Sequence, residues 1–150
     1  MTEYMQKFLD EGRRLRQEVR KHGHYLIVED SQDTVALFRA LFATCKTRLD
    51  VVSNADDALL HIQANPNDIQ CVVIDLHIPD SEDVGGYRVV EYLEKLRTGI
   101  PYVVHTGDAR AARKISEEFP RASVLIKGTA LSDIRDLLGL TNENKDKSED

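Results

Sequence analysis

Five short apolar runs recur along the chain, each separated from the next by enough residues for a helix. They are Tyr25–Val28, Leu49–Val52, Cys71–Ile74, Ile100–Val104 and Ala122–Ile126. Most are unbroken rather than alternating, which predicts strands buried on both faces of a parallel sheet. The intervening stretches carry helical spacing. Ser31 is placed to cap a helix whose apolar face is Val35, Leu37, Phe38, Leu41 and Phe42. Asn54 or Ala55 opens a second helix with Ala58, Leu59, Leu60 and Ile62, and Asn65-Pro66-Asn67-Asp68 breaks it. A third carries Tyr87, Val89, Val90, Tyr92, Leu93 and Leu96 after the loop Pro79–Gly86, and Gly99 ends it. A fourth opens at Thr106-Gly107-Asp108 and closes near Phe119-Pro120, and a fifth runs from about Leu131 to Leu138. Strands alternating with helices predict right-handed crossovers, hence a doubly wound α/β sheet with helices on both faces.

The ends of the chain follow different patterns. Over residues 1–22, Met5, Phe8, Leu15 and Val19 form one narrow apolar stripe, with Gly12 interrupting it and mixed charges elsewhere. The stripe predicts an N-terminal helical extension, residues 1–23, packed on the domain's own surface or offered to a dimer or other partner. Its thinness and its interspersed acids argue against a membrane surface. Residues 141–150 are polar, charged and almost free of apolar groups, which predicts a disordered acidic tail.

With 150 residues, 41% hydrophobic and 31% charged, the chain has the length and composition of one globular domain. A net charge of −6 argues against a nucleic-acid partner. No apolar run approaches the roughly 18 residues of a membrane span, and the N-terminus is too charged for a signal peptide. Cys45 and Cys71 make no spacing motif; buried free thiols in a cytoplasmic protein are expected, with a disulfide as the alternative.

Chemistry gathers at the carboxyl ends of the apolar runs, where open parallel sheets bind ligands. The first ends in Glu29 and Asp30, the third in Asp75, the fourth is followed by Thr106 and the fifth by Lys127; the second offers only Ser53 and Asn54. In a sheet of order 2-1-3-4-5 the first and third strands are neighbours, so three carboxylates converge. Like charges so close need a counter-charge, and an all-oxygen donor set suits Mg²⁺ or Mn²⁺.

This combination resembles the receiver domain of bacterial two-component response regulators, over residues 24–140. The features that carry it are the acidic pair Glu29-Asp30, the run Asp75-x-x-Ile78-Pro79, the Thr106 hydroxyl and the Lys127 ammonium, in that order on the strand ends. The resemblance implies a CheY-like, flavodoxin-like five-stranded fold of order 2-1-3-4-5. It also implies that Asp75 is the phosphoacceptor, modified by a sensor histidine kinase or a phosphotransfer protein. Mg²⁺ is then held by Glu29, Asp30, Asp75 and the backbone carbonyl of His77. Lys127 pairs with the phosphoryl group or with Asp75, and Thr106 donates to a phosphoryl oxygen and draws its loop inward. Read locally, Asp30 and Thr106 are alternatively helix caps, and Lys127 a structural ion pair to Asp75.

The chain departs from the family pattern in three places. Val124 stands where an aromatic often swings on activation, and a valine has no ring to relocate. Gly128 replaces the usual proline after the lysine; a cis bond there would cost ~3 kcal/mol without proline, so a trans or altered loop is expected. The loop over 80–86 is longer than the family's by about two residues and carries Asp80, Glu82 and Asp83, as a cover for the site, a brake on an anionic donor or a solvated insertion. By resemblance, His77 and Asp108 flank the path of attacking water and tune dephosphorylation, while small Gly107 keeps the pocket open. The expected function is a stand-alone phosphorylation switch that catalyses only its own phosphotransfer and dephosphorylation. Its output is protein contact through about residues 109–138, with a homodimer formed there or through residues 1–22. The alternative is a protein-binding module of the same fold that is no longer phosphorylated. A small flavodoxin-like or hydrolase enzyme is disfavoured: Glu29-Asp30-Ser31 stands where a glycine-rich phosphate loop would follow the first strand. His77 stands where phosphatases of the haloacid dehalogenase type place a second aspartate.

Overall fold

A computed structural model describes residues 23–78, 85–96 and 99–140. The extension over 1–22, residues 79–84 of the loop and the tail over 141–150 lie outside the described residues.

Ten elements follow in strict alternation: β1 His24–Val28, α1 Gln32–Phe42, β2 Leu49–Val52, α2 Ala55–Ala64, β3 Ile69–Asp75, α3 Gly85–Lys95, β4 Tyr102–Thr106, α4 Ala109–Glu118, β5 Ser123–Ile126 and α5 Leu131–Leu137. The strands form one parallel sheet of order β2-β1-β3-β4-β5. Every residue of β1, β3 and β4 is buried, while the edge strand β2 is half-buried.

Successive side chains of a strand point to opposite faces, so the unbroken runs split into two cores. Leu26, Val28, Val72, Ile74, Val104 and Val124 face α2, α3 and α4. Tyr25, Ile27, Cys71, Val73, Val103 and Leu125 face α1 and α5. The Tyr25 hydroxyl donates to the Leu138 carbonyl (2.6 Å), tying the end of α5 to the start of β1.

The expected caps are present at Ser31, which accepts from the Thr34 amide, and Asn54, which accepts from the Asp57 amide. Three details differ from the sequence pattern. Leu37 and Leu60 are exposed, because each lies off the helical stripe set by Phe38, Leu41 and Phe42 or by Ala55, Ala58 and Ile62. The third helix begins at Gly85 rather than after Gly86. Cys71 is buried but Cys45 only half so, and both are free. All described peptide bonds are trans, and Gly128 carries a φ of 92° in the turn after β5.

Candidate phosphoacceptor and metal site

Asp75 closes β3, a strand buried along its whole length. Its two oxygens have different partners. Oδ1 accepts from the His77 amide at 3.0 Å, which turns the chain at the strand's end. Oδ2 lies 3.2 Å from Lys127 Nζ, which arrives from the end of β5. The Lys127 amide donates to the Thr106 carbonyl, so the lysine is placed by the β4–β5 ladder.

Glu29 and Asp30 follow β1, the neighbour of β3. Oxygens of Glu29, Asp30 and Asp75 all lie within 4.8 Å of one another. Glu29 is buried and Asp30 exposed, so the cluster opens to solvent on one side. Glu29 Oε1 accepts from the Ser31 amide at 3.0 Å, at the start of α1. Burial pushes the Glu29 carboxyl up to about 7, and the neighbouring Asp75 adds to the shift. For Asp75, burial acts upward, but the His77 amide, the hydrogen bond shared with Glu29 and the Lys127 ammonium together hold it below its ordinary value. At neutral pH the pair therefore carries an ionised Asp75 beside a Glu29 that readily keeps a proton.

The donor set fits Mg²⁺ or Mn²⁺: three convergent carboxylates, no thiol or imidazole within the cluster, and more negative charge than Lys127 alone offsets. Glu29, Asp30 and Asp75 would hold the ion.

Thr106 is fully buried at the end of β4, and its Oγ1 accepts from the Asp108 amide at 3.1 Å. Asp108, not Thr106, caps α4: its Oδ1 accepts from the Arg110 and Ala111 amides. Likewise Ser31, not Asp30, caps α1, leaving the Asp30 carboxylate to the cluster. The alternative of Lys127 as an ion pair to Asp75 is realised, and it coexists with a place in the site. Gly107 lies beside Lys127; a Cβ there would sit 3.7 Å from Lys127 Cδ, an ordinary contact. The His77 side chain is exposed. Val124 is buried in the core shared with α3 and α4.

One residue escaped sequence reasoning. His105 is buried and pairs in register with Asp75 across β3–β4. Its ring packs edge-on against Phe38 at 5.4 Å. Burial, then the Lys127 charge, push its imidazole down to about 4. Its position between the apolar run Ile100–Val104 and Thr106 is the signal in the sequence.

Solved structures share this fold. The signal receiver domain of a LuxO repressor protein from Vibrio parahaemolyticus superposes with a TM-score of 0.65 and 18% identity, covering 86% of this chain and 98% of that one. The Mn²⁺-bound form of response regulator Rcp1 gives 0.60 and 21%, covering 78% and 89%. The receiver domain of a sensor histidine kinase from Pseudomonas aeruginosa, with magnesium in its active-site cleft, gives 0.64 and 18%, covering 78% and 94%. The two-component response regulator ARR2 of Arabidopsis thaliana is 25% identical over 83 residues, which are 55% of this chain and only 12% of that relative. The family model for the response regulator receiver domain matches residues 25–137, and the chain belongs to that family.

Proposed function

We propose that this receiver is a phosphorylation switch in two-component signalling, with Asp75 as phosphoacceptor. One observation carries the reading: the buried Asp75 carboxylate is gripped by Lys127 at 3.2 Å and flanked by two further carboxylates within 4.8 Å. A nucleophile for phosphorus needs the ionised form, and the surrounding groups maintain it.

In the proposed reaction, Asp75 attacks the phosphorus of a phosphohistidine on a sensor kinase or phosphotransfer protein. A P–O bond to the carboxylate forms as the P–N bond breaks, and the donor imidazole, already protonated on its other ring nitrogen, leaves as the neutral ring. A divalent cation, when bound, offsets the charge on the entering phosphoryl oxygens. Lys127 moves its charge from Asp75 Oδ2 to the phosphoryl group, and the Thr106 hydroxyl donates to a phosphoryl oxygen. That donation draws in the turn at Gly107-Asp108, which begins α4, so the surface of α4, β5 and α5 changes. Output is protein contact through that surface, in the cytoplasm, without other catalysis. A homodimer through residues 1–22 or through the surface of α4, β5 and α5 belongs to the same proposal.

The test is incubation with acetyl phosphate and Mg²⁺, followed by intact mass. Wild type gains one phosphoryl group and Asp75→Asn gains none; a wild-type chain that never gains mass under excess donor overturns the reading. The second reading, a binding module no longer phosphorylated, draws on Val124, which lacks a mobile ring. Mg²⁺-dependent binding of beryllium fluoride separates the two, because only a working phosphoryl site binds it.

A further inference from the structure

A second cluster lies at the opposite, amino-terminal edge of the sheet. His24 opens β1, Asp50 lies in β2, His61 lies in the last turns of α2, and Asp68 immediately precedes β3. The two imidazole Nε2 atoms are 2.7 Å apart, with their rings nearly perpendicular. Asp50 Oδ2 is 3.5 Å from both. One imidazole donates to the other, but the carboxylate is too distant to complete a good hydrogen bond with either. Two nitrogens and one oxygen thus converge on a point rather than pairing off.

We propose that His24, His61 and Asp50 form a second cation site, for Zn²⁺ or a similar borderline divalent transition metal. Such ions take imidazole and carboxylate donors, and a tetrahedral centre with ligands near 2.0 Å sets neighbouring donor atoms about 3.3 Å apart. The observed triangle spans that value.

Two further features point the same way. His24 is 1% exposed, and its other nitrogen, Nδ1, is buried without a hydrogen bond. It faces Asp68 Oδ2 at 3.4 Å. A ligating histidine characteristically turns its second nitrogen to a carboxylate, which fixes the ring. His24 is itself held by its amide, which donates to the Asp68 carbonyl at 2.9 Å. Gly23 allows that approach: its φ is 110°, and a Cβ there would fall 2.1 Å from the same carbonyl.

The site is also reachable. Asp50 is 29% and His61 20% exposed, which leaves a fourth corner open to water. Arg48 Nη2 shares Asp50 Oδ2 at 3.1 Å, but its side chain is 62% exposed and free to swing out as the cation enters. A bound ion would fasten β1, β2 and α2 together, far from Asp75.

The experiment uses the full, untagged chain, with Mg²⁺ saturating the carboxylate site, titrated calorimetrically with Zn²⁺. One equivalent binds wild type and Asp75→Asn alike, and binding weakens at least tenfold in His61→Ala and in Asp50→Asn. Both of these positions are partly exposed, and melting in chelator verifies that the variants fold. Zn²⁺ raises the Tm of wild type but not of His61→Ala. Co²⁺ in place of Zn²⁺ gives the intense visible bands of a four-coordinate centre, absent in His61→Ala. Lack of stoichiometric binding, binding unchanged by both substitutions, or binding lost only with Asp75→Asn would each overturn the proposal. None of these readouts depends on phosphorylation.

Discussion

Asp75 has one oxygen occupied by the His77 amide and the other by the Lys127 ammonium, so its neighbours decide its chemistry. Asp108 serves two purposes that substitution can separate. Its carboxylate caps α4, and it sits at the mouth two positions after Thr106. Asp108→Ala should cost about 1 kcal/mol of stability through the lost cap. Asp108→Ser should restore most of that, because a serine caps nearly as well. If the carboxylate also orients water at the mouth, both variants change the rate of phosphate loss. Urea unfolding and a decay assay of the phosphorylated chain read the two effects separately. Equal decay in wild type and both variants would leave Asp108 as a cap alone.

Two glycines near the site make opposite demands on the elements they join. Gly86, in the first turn of α3, is pressed against the chain just after Asp75. A Cβ there would lie 2.3 Å from the Asp75 carbonyl oxygen and 2.5 Å from Leu76 Cα, and the Gly86 amide donates to the Leu76 carbonyl. Neither obstacle is a flexible side-chain tip. Gly86→Ala must therefore displace α3 from the end of β3, at roughly 1–3 kcal/mol. Gly107 instead has room, and Gly107→Ala should change stability by less than about 0.5 kcal/mol. Denaturant midpoints of the two variants test the contrast. A narrower mouth should still slow transfer from a bulky protein donor more than from acetyl phosphate in Gly107→Ala.

At the scale of the whole molecule, two buried groups set an opposed pH response. His105 is held down to about 4 against an ordinary 6.5, so between those values the unfolded chain binds the extra proton and acid destabilises. Glu29 is held up at about 7 against an ordinary 4.5, so between those values the folded chain binds the extra proton and acid stabilises. In the overlap, from 4.5 to 6.5, the two slopes oppose each other. Stability without divalent cations should be nearly flat there. Glu29→Gln should unmask a loss of up to about 1 kcal/mol for each pH unit of acidification. Urea titrations in chelator at several pH values measure this, and a flat profile in the variant would assign His105 no such part. Saturating Mg²⁺ should act on wild type as the substitution does, because a ligating Glu29 no longer takes up the proton.

Much of this was legible along the chain. Parallel strands all present their carboxyl ends at one edge, so residues that close successive apolar runs must meet there. Glu29, Asp30, Asp75, Thr106 and Lys127 can thus be named without coordinates, and the family resemblance implies the strand order. The tertiary structure alone decided which atom each group holds: the amide at Asp75 Oδ1, the cap given to Asp108 rather than Thr106, the burial of His105. It alone brought His24, Asp50 and His61 together. Their meeting depends on the register between β1 and β2 and on the rotation of α2. Apolar runs buried on both faces carry no alternation from which register can be read. Sequence patterning therefore determined the edge where chemistry gathers, and packing determined the partners within it.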